Sequence, residues 1–477
     1  MKKENSISRR SFLKSSALVG GVVGGVVGSG SAASMLTSCG NSGGGCDAIK
    51  PLKEPGTYYV PDLVDFATDG QELKAGIIGC GGRGSGAAFN FLNAANGITI
   101  TALGDTFSDR LEGLANKLKS EKNIDIPADK RFVGLDAYKQ VIDSGVDMVI
   151  VATPPNFRPI HFQYAVEKGK HAFLEKPICV DPVGYRTIVA TAKQAVAKNL
   201  SVVTGTQRHH QRSYVESYKQ IMNGAIGEIT GGVVYWNGGM LWYKERQAGW
   251  SDCEWMIRDW VNWGWLSGDH IVEQHVHNLD VFTWFSGLKP VSAVGFGSRQ
   301  RRVTGDQFDN FSIDFTMENG IHLHSTCRQI DGTASNVSEF IQGTKGSWSS
   351  AGAHVIKDLA GNVVWKYDGE AEKANFKQTD PYTLEHVNWI NHIRSKKPIE
   401  QASETAVANM AAIMGRESAY SGKETTWEEM TTSVLDLYPK DIDPVKKMAI
   451  SGYGAGKEFK LPDYIHIAGK PQGNQTR

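Results

Sequence analysis

The chain has 477 residues, 40% of them hydrophobic and 21% charged, with 51 Lys plus Arg against 51 Asp plus Glu. That length holds two domains with cores of their own, and the balanced charge offers no basic field for nucleic acid and no acidic field for a cationic partner. Six cysteines without a Cys-x-x-Cys pair supply neither a disulfide framework nor a zinc cluster.

The first segment reads as an address. Ser8-Arg9-Arg10-Ser11-Phe12-Leu13-Lys14 has the form of a twin-arginine export signal, and the stretch from Ser16 to Leu36 is too rich in glycine for a transmembrane helix. Leu36-Thr37-Ser38-Cys39 is similar to a lipobox, in which Cys39 takes a lipid after cleavage; the alternative is an incidental cysteine near an ordinary cleavage site. Residues 1–38 are therefore read as signal and 39–71 as linker, with a flexible tether from Gly40 to Gly45. This places the protein outside the inner membrane, in the periplasm, attached only through its N-terminal lipid.

The apolar run from Ala75 to Ile78 predicts a buried strand, followed by Gly79-x-Gly81-x-x-Gly84 and a helix over Ser85 to Leu92. Gly79 permits a tight turn, Gly81 lets backbone approach a pyrophosphate, and Gly84 lets helix pack on strand. Gly82 and Arg83 fall in the same loop, whose helix N-terminus favours phosphate. A second strand over Ile98–Leu103 ends at Gly104-Asp105, where a carboxylate binds ribose hydroxyls and disfavours a 2′-phosphate. The pattern predicts a nicotinamide dinucleotide site, NAD over NADP, with Arg110 as the residue that could reverse that preference.

Up to about residue 203 strands and helices alternate. Strand-length runs at Val146–Ala152, His171–Leu174 and Leu200–Val203, with amphipathic segments at Asp109–Lys119 and Pro159–Lys168, predict a doubly wound parallel sheet over 72–203. Two of these strands end in loops on the ligand side, Thr153-Pro154 and Glu175-Lys176-Pro177. From 204 to 440 the runs follow one another through short turns. Val233–Trp236, Ala293–Phe296, Phe311–Thr316, Gly320–Ser325, Glu339–Gln342 and Val363–Trp365 predict an α/β domain with a largely antiparallel open sheet. Helices close it from Tyr382 to Gly422, and 441–477 reads as a tail.

Four constellations suggest chemistry. Lys176, at the end of a strand beside the cofactor crevice, is placed to hold or polarise a substrate hydroxyl; a surface lysine before a turn is the plain alternative. A helix over Gly268–Asp280 would put His270, Glu273, Gln274 and His277 on one face, with His275 elsewhere. That stripe suits either a proton-transferring His277 oriented by Glu273 or a metal held by His270, Glu273 and His277; no further ligand is visible nearby, so the metal ranks second. Eight of the twelve tryptophans fall between Trp236 and Trp284. Most are expected in cores, but Trp236, Trp242 and Trp263 are candidate sugar platforms. Arg208 and Tyr214 open the second domain as candidate substrate donors, against the plainer reading of a surface loop.

Taken together, Gly79-x-Gly81-x-x-Gly84, Asp105, Ala152-Thr153-Pro154, Glu175-Lys176-Pro177 and Glu273-x-x-x-His277-x-x-Asp280 resemble the Gfo/Idh/MocA oxidoreductases, over roughly residues 72 to 440. The resemblance implies a Rossmann domain followed by an α/β domain whose open sheet faces substrate and other subunits, and so a homo-oligomer. It implies that Lys176 contacts the reacting hydroxyl and that His277 transfers its proton. This chain has Glu273 where the family commonly has aspartate, and an extra His270 one turn earlier, which leaves the sugar or polyol open. The expected activity is NAD(P)-dependent oxidation of a ring hydroxyl of a sugar, glycoside or cyclitol, for instance at C3. Since free NAD is scarce outside the inner membrane, a tightly bound, carried cofactor is expected. The alternatives are a redox-neutral NAD-recycling glycoside hydrolase, whose motif after the third strand differs from Glu175-Lys176-Pro177, and a carbohydrate-binding lipoprotein that has lost catalysis.

Overall fold

The computed structural model describes residues 52–54 and 56–439. The signal over 1–38, Cys39, the glycine tether and the tail over 441–477 lie outside the described residues. Six strands and five α-helices build the first domain: β1 (Leu73–Ile78), α1 (Gly82–Leu92), β2 (Ile98–Asp105), α2 (Ser108–Lys122), β3 (Arg131–Val133), α3 (Ala137–Asp143), β4 (Met148–Val151), α4 (Arg158–Glu167), β5 (His171–Leu174), α5 (Pro182–Ala197) and β6 (Val202–Thr204). The strands form one parallel sheet in the order β3-β2-β1-β4-β5-β6. β4 is buried at all four positions because helices cover both faces, which is why such strands are plain apolar runs. The order reverses between β1 and β4, where a doubly wound sheet opens its ligand crevice. β3 was not foreseen, since Arg131-Phe132-Val133 has no fully buried position and so no apolar run, unlike the equally short β6.

The second domain contains α6 (Arg212–Met222), β7 (Ile229–Gly238), α7 (Asp252–Arg258), α8 (Gly264–Ser267), α9 (His270–Glu273), α10 (Val276–Ser286), β8 (Pro290–Ser298), β9 (Asn310–Met317), β10 (His322–Gln329), β11 (Asn336–Gly343), β12 (Gly346–Ser349), β13 (Val355–Asp358) and β14 (Val363–Lys366). Then come α11 (Gly369–Asn375), α12 (Pro381–Arg394), α13 (Ala402–Ser421), β15 (Thr425–Thr426) and α14 (Trp427–Thr432). The nine strands run β14-β13-β12-β11-β7-β10-β9-β8-β15, antiparallel except for the parallel neighbours β7 and β10. β9 alternates half-buried and buried residues, the signature of a sheet with one covered face.

Two stretches pack differently from the expected division. Val387, Trp389, Ile390 and Ile393 of α12 join Leu73, Ile77 and Phe91 in the core of the first domain, although they follow residue 204. Of the linker expected over 39–71, the described part is packed: Leu63 and Ala67 are buried, and Tyr59 donates to Asn388 Oδ1 at 3.0 Å. Its mixed polar composition concealed that, because its partners, from Ala94 to Asn388 and Asn391, lie outside the segment.

Candidate active site

The glycine loop has the shape its spacing predicts. Gly79 sits at φ +93°, where a Cβ would come 2.8 Å from Thr153 N, and a Cβ on Gly84 would come 1.8 Å from Gly79 O. Gly82 opens α1 with free space beside it. No side chain caps α1 at Gly81, so its first N–H groups are left for an anion. At the end of β2, Asp105 Oδ2 accepts from Cys80 N at 2.6 Å and Oδ1 from Phe107 N at 2.8 Å. Burial raises the Asp105 pKa, opposed by those two N–H groups and by Arg110. Arg110 stands beside the loop, with Nη1 3.4 Å from where a Gly81 Cβ would be. These residues fit a dinucleotide: Gly79, Gly81, Gly82 and Gly84 would admit its pyrophosphate and Asp105 its ribose.

Arg83 binds Glu175 through Nε, lies 3.6 Å from Glu385 Oε1, and covers the Tyr382 ring at 4.6 Å. Burial opposes its charge, but Glu175 and Glu385 outweigh it and push the pKa up. Glu385 is fully buried, and burial, with Glu175 adding, holds its carboxyl well above the usual range. The sequence offered no signal for it, because α12 reaches the loop only through the fold. Arg158 fastens the two ligand-side loops, donating to Thr153 O at 2.8 Å, Glu175 O at 2.8 Å and Pro177 O at 2.6 Å. Pro154 starts the turn that follows, and Thr153 Oγ1 meets His161 Nδ1 at 3.2 Å.

The helix expected over Gly268–Asp280 is broken. The N–H of His275 bonds to His270 O, five residues back, and the next bonds, His277 to Gln274 and Asn278 to His275, span three. That wide turn followed by tight ones shifts the register, so the expected one-face stripe does not form. His270 is 1% exposed, with Nδ1 3.1 Å from Asp269 Oδ1 and its ring 5.0 Å from Phe311. Its Nε2, like Glu273 Oε2 and His277 Nδ1, is buried without a hydrogen-bond partner among the described residues. Glu273 turns to Lys176, not to His277 as expected: Lys176 Nζ donates to Glu273 O at 2.6 Å and to Oε1 at 2.9 Å. Gln274 is half-buried at the break. His270, Glu273 and His277 do not converge, and among the described residues no group of three or more His, Cys, Asp or Glu could hold a metal ion.

His277 is 4% exposed and stacks on Trp236 at 5.7 Å. Burial, then the charges of Lys176, Arg208 and His209, hold its pKa well below the ordinary value, so the imidazole is neutral. Glu273 Oε2 and His277 Nδ1 are buried without partners among the described residues. Behind them Arg208 and Tyr214 are 7% and 6% exposed, both bonded to Glu339, which also accepts from Asn278 Nδ2 at 2.5 Å. Arg208 covers the Trp236 ring at 5.8 Å, so it and Tyr214 support the site rather than presenting free donors. Glu339 was missed because one glutamate in a strand gives no pattern. Of the three candidate platforms, Trp236 alone stacks on His277; Trp242 is 45% exposed against Trp260, and Trp263 is 7% exposed in an apolar cluster with Phe107 and Trp265.

A helix mouth shaped for pyrophosphate, coupled through Arg83 and Glu175 to the loop that carries Lys176, defines a dinucleotide-dependent oxidoreductase. The chain belongs to the Gfo/Idh/MocA family: residues 73–204 match its NAD-binding Rossmann fold and 214–349 its C-terminal domain, together more than half of the chain. It is 24% identical to a glycosyl hydrolase family 109 protein of Streptomyces coelicolor over 82% of this chain and 71% of that one. It is 23% identical to the scyllo-inositol 2-dehydrogenase (NAD(+)) of Bacillus subtilis over 47% of this chain and 57% of that one. Among solved structures, the scyllo-inositol dehydrogenase of Lactobacillus casei with NAD(H) and scyllo-inositol superposes with a TM-score of 0.56, at 18% identity over 74% of this chain and 99% of that one. The aldose-aldose oxidoreductase of Caulobacter crescentus gives 0.58, at 17% identity over 74% and 99%. At these identities the structural likeness speaks for the fold.

Proposed function

We propose that the protein oxidises a ring hydroxyl of a sugar, glycoside or cyclitol, with C3 of a glucoside as the first candidate position, and that it does so as an exported, lipid-anchored homo-oligomer carrying its NAD. The observation that carries this reading is Lys176 fixed by Glu273 next to a neutral, partly unpartnered His277. When bound, NAD supplies the hydride acceptor that no side chain offers. An ammonium has three N–H groups, and Glu273 takes two from Lys176, which leaves one for the substrate oxygen. Neutral His277 then accepts the hydroxyl proton as the C–H bond gives up its hydride, a step worth about 10²–10⁴-fold for a well-placed base. Trp236, stacked on His277, offers the pyranose an apolar face. The homo-oligomer reading is supported by the apolar surface of the open sheet, where Phe296 of β8 is 72% exposed and Val294 44%.

A second reading, a redox-neutral glycoside hydrolase that takes hydride out and returns it, is favoured by the family 109 relative, which this chain matches along 82% of its length. Purified protein would be supplied with NAD and a panel of glucosides and inositols, with reduced nicotinamide and sugar products followed together. Accumulation of a keto product with one reduced nicotinamide per turnover supports the dehydrogenase. Release of aglycone and free sugar with no net reduction supports the hydrolase, and no reaction on either class of substrate rejects both.

A further inference from the structure

α7, from the second domain, is fastened to the residues that follow Asp105. Arg258 Nη1 and Nη2 donate to Asp109 Oδ2 at 3.1 Å and Oδ1 at 3.0 Å, a two-bond fork, while Nε donates to Glu254 Oε1 at 2.9 Å. Its guanidinium covers the Phe107 ring at 3.8 Å and faces Trp250 at 5.0 Å. Its carbonyl accepts from Arg110 Nη2 at 3.3 Å. Every nitrogen of this guanidinium is thus engaged, with the side chain 13% exposed. Beneath it, Phe107 and Phe157 of the first domain pack with Cys253, Met256, Trp263 and Trp265.

The Rossmann half of this contact is the adenosine end of the dinucleotide site. Phe107 N–H orients Asp105, and Arg110 stands between Asp105 and Gly81. We propose that Arg258 is a positioning residue for the bound dinucleotide: through Asp109, Phe107 and Arg110 it closes the adenosine end of the crevice, and the cofactor leaves only when this contact opens. The inference deepens the carried-cofactor reading and rests on it. A fork held by a guanidinium that is 13% exposed suits the task, because removing Asp109 strands two N–H groups of Arg258 and loosens its hold on Phe107 and Arg110.

The test is the rate of NADH release, read by stopped-flow fluorescence with excess unlabelled NAD as the chase. Arg258→Met is expected to speed release by about tenfold and Asp109→Asn by a few-fold, as for a pair with one exposed partner, with the double variant no faster than Arg258→Met alone, since both remove one contact. Asp109 lies at the exposed rim, so its variant folds even if Arg258→Met does not. Wild-type release quickens with added salt, whereas release from Asp109→Asn does not, because the screened pair is already absent. Unchanged release in Asp109→Asn, or rate increases that multiply in the double variant, overturns the assignment. A wild-type protein that exchanges NADH freely with solution rejects the carried cofactor, yet the ratio of variant to wild-type rates still decides the role of Arg258.

Discussion

Lys176 Nζ reaches both the main-chain oxygen and the carboxylate of Glu273, at 2.6 and 2.9 Å, so a loop of the nucleotide domain is tied to the break between α9 and α10 of the substrate domain. In the proposed reaction the lysine sets the substrate oxygen, and the glutamate sets the lysine. That order of dependence gives the two residues different mutational signatures.

Lys176→Met should lower kcat by about 10²–10⁴-fold while NADH still binds. Glu273→Gln keeps a hydrogen-bond acceptor but loses the charge, so its loss of kcat should be smaller. Steady-state rates beside NADH fluorescence titrations check both; a Lys176→Met variant with undiminished turnover places the reaction elsewhere.

His277 is held neutral by burial and by the charges of Lys176, Arg208 and His209. An ordinary histidine base would give kcat/KM an acid limb near pH 6.5. Here that limb should lie well below, and His277→Gln should lose activity across the whole range. A wild-type limb near pH 6.5 that disappears in His277→Gln would contradict the neutral imidazole.

Asp105 uses both oxygens on backbone N–H groups, those of Cys80 and Phe107. Asp105→Ser leaves at least one donor unpaired and removes the ribose acceptor, so NADH affinity should fall by about 10- to 100-fold. Arg110 then faces the ribose without its carboxylate neighbour, and the NADPH to NADH affinity ratio should rise. Titration of both nucleotides reads the two effects, and unaltered NADH binding would rule out this role for Asp105.

His275 is fully buried, bonded through Nε2 to Ser325 Oγ at 2.7 Å, and burial takes its pKa down to about 3. The unfolded value is about 6.5, so below it the unfolded chain takes up a proton that the folded chain does not. Its contribution to stability is complete above pH 6.5 and falls by about 1.4 kcal/mol per unit towards pH 3. Urea unfolding of wild type and His275→Gln, at several pH values, should therefore give curves that converge on acidification. Parallel curves would show that His275 does not titrate in this way.

Much of this site was legible in the sequence, for physical reasons that differ from one part to another. The glycine loop could be read because each glycine answers a separate steric demand at a set offset, as the clash between a Gly84 Cβ and Gly79 O shows. Strands such as β4 and β5 could be read because covered faces demand apolar side chains. The stripe from His270 to His277 misled because it assumed an unbroken 3.6-residue period, which the bond from His275 back to His270 interrupts. Glu339, Glu385 and Arg258 act on partners far away in the chain, which local patterns do not reveal. Trp242 and Trp263 share a composition with Trp236, and tertiary packing alone separates the one beside His277 from the other two.

In the proposed reaction a ring C–H of the substrate gives its hydride to the dinucleotide at Lys176 and His277. For a sugar or cyclitol that the protein turns over, the ring-deuterated form would be incubated with the purified protein and the nicotinamide then recovered for mass analysis. One deuterium is expected on the recovered nicotinamide of the wild type and none with Lys176→Met. Turnover of the deuterated substrate that leaves the nicotinamide unlabelled would contradict this reaction.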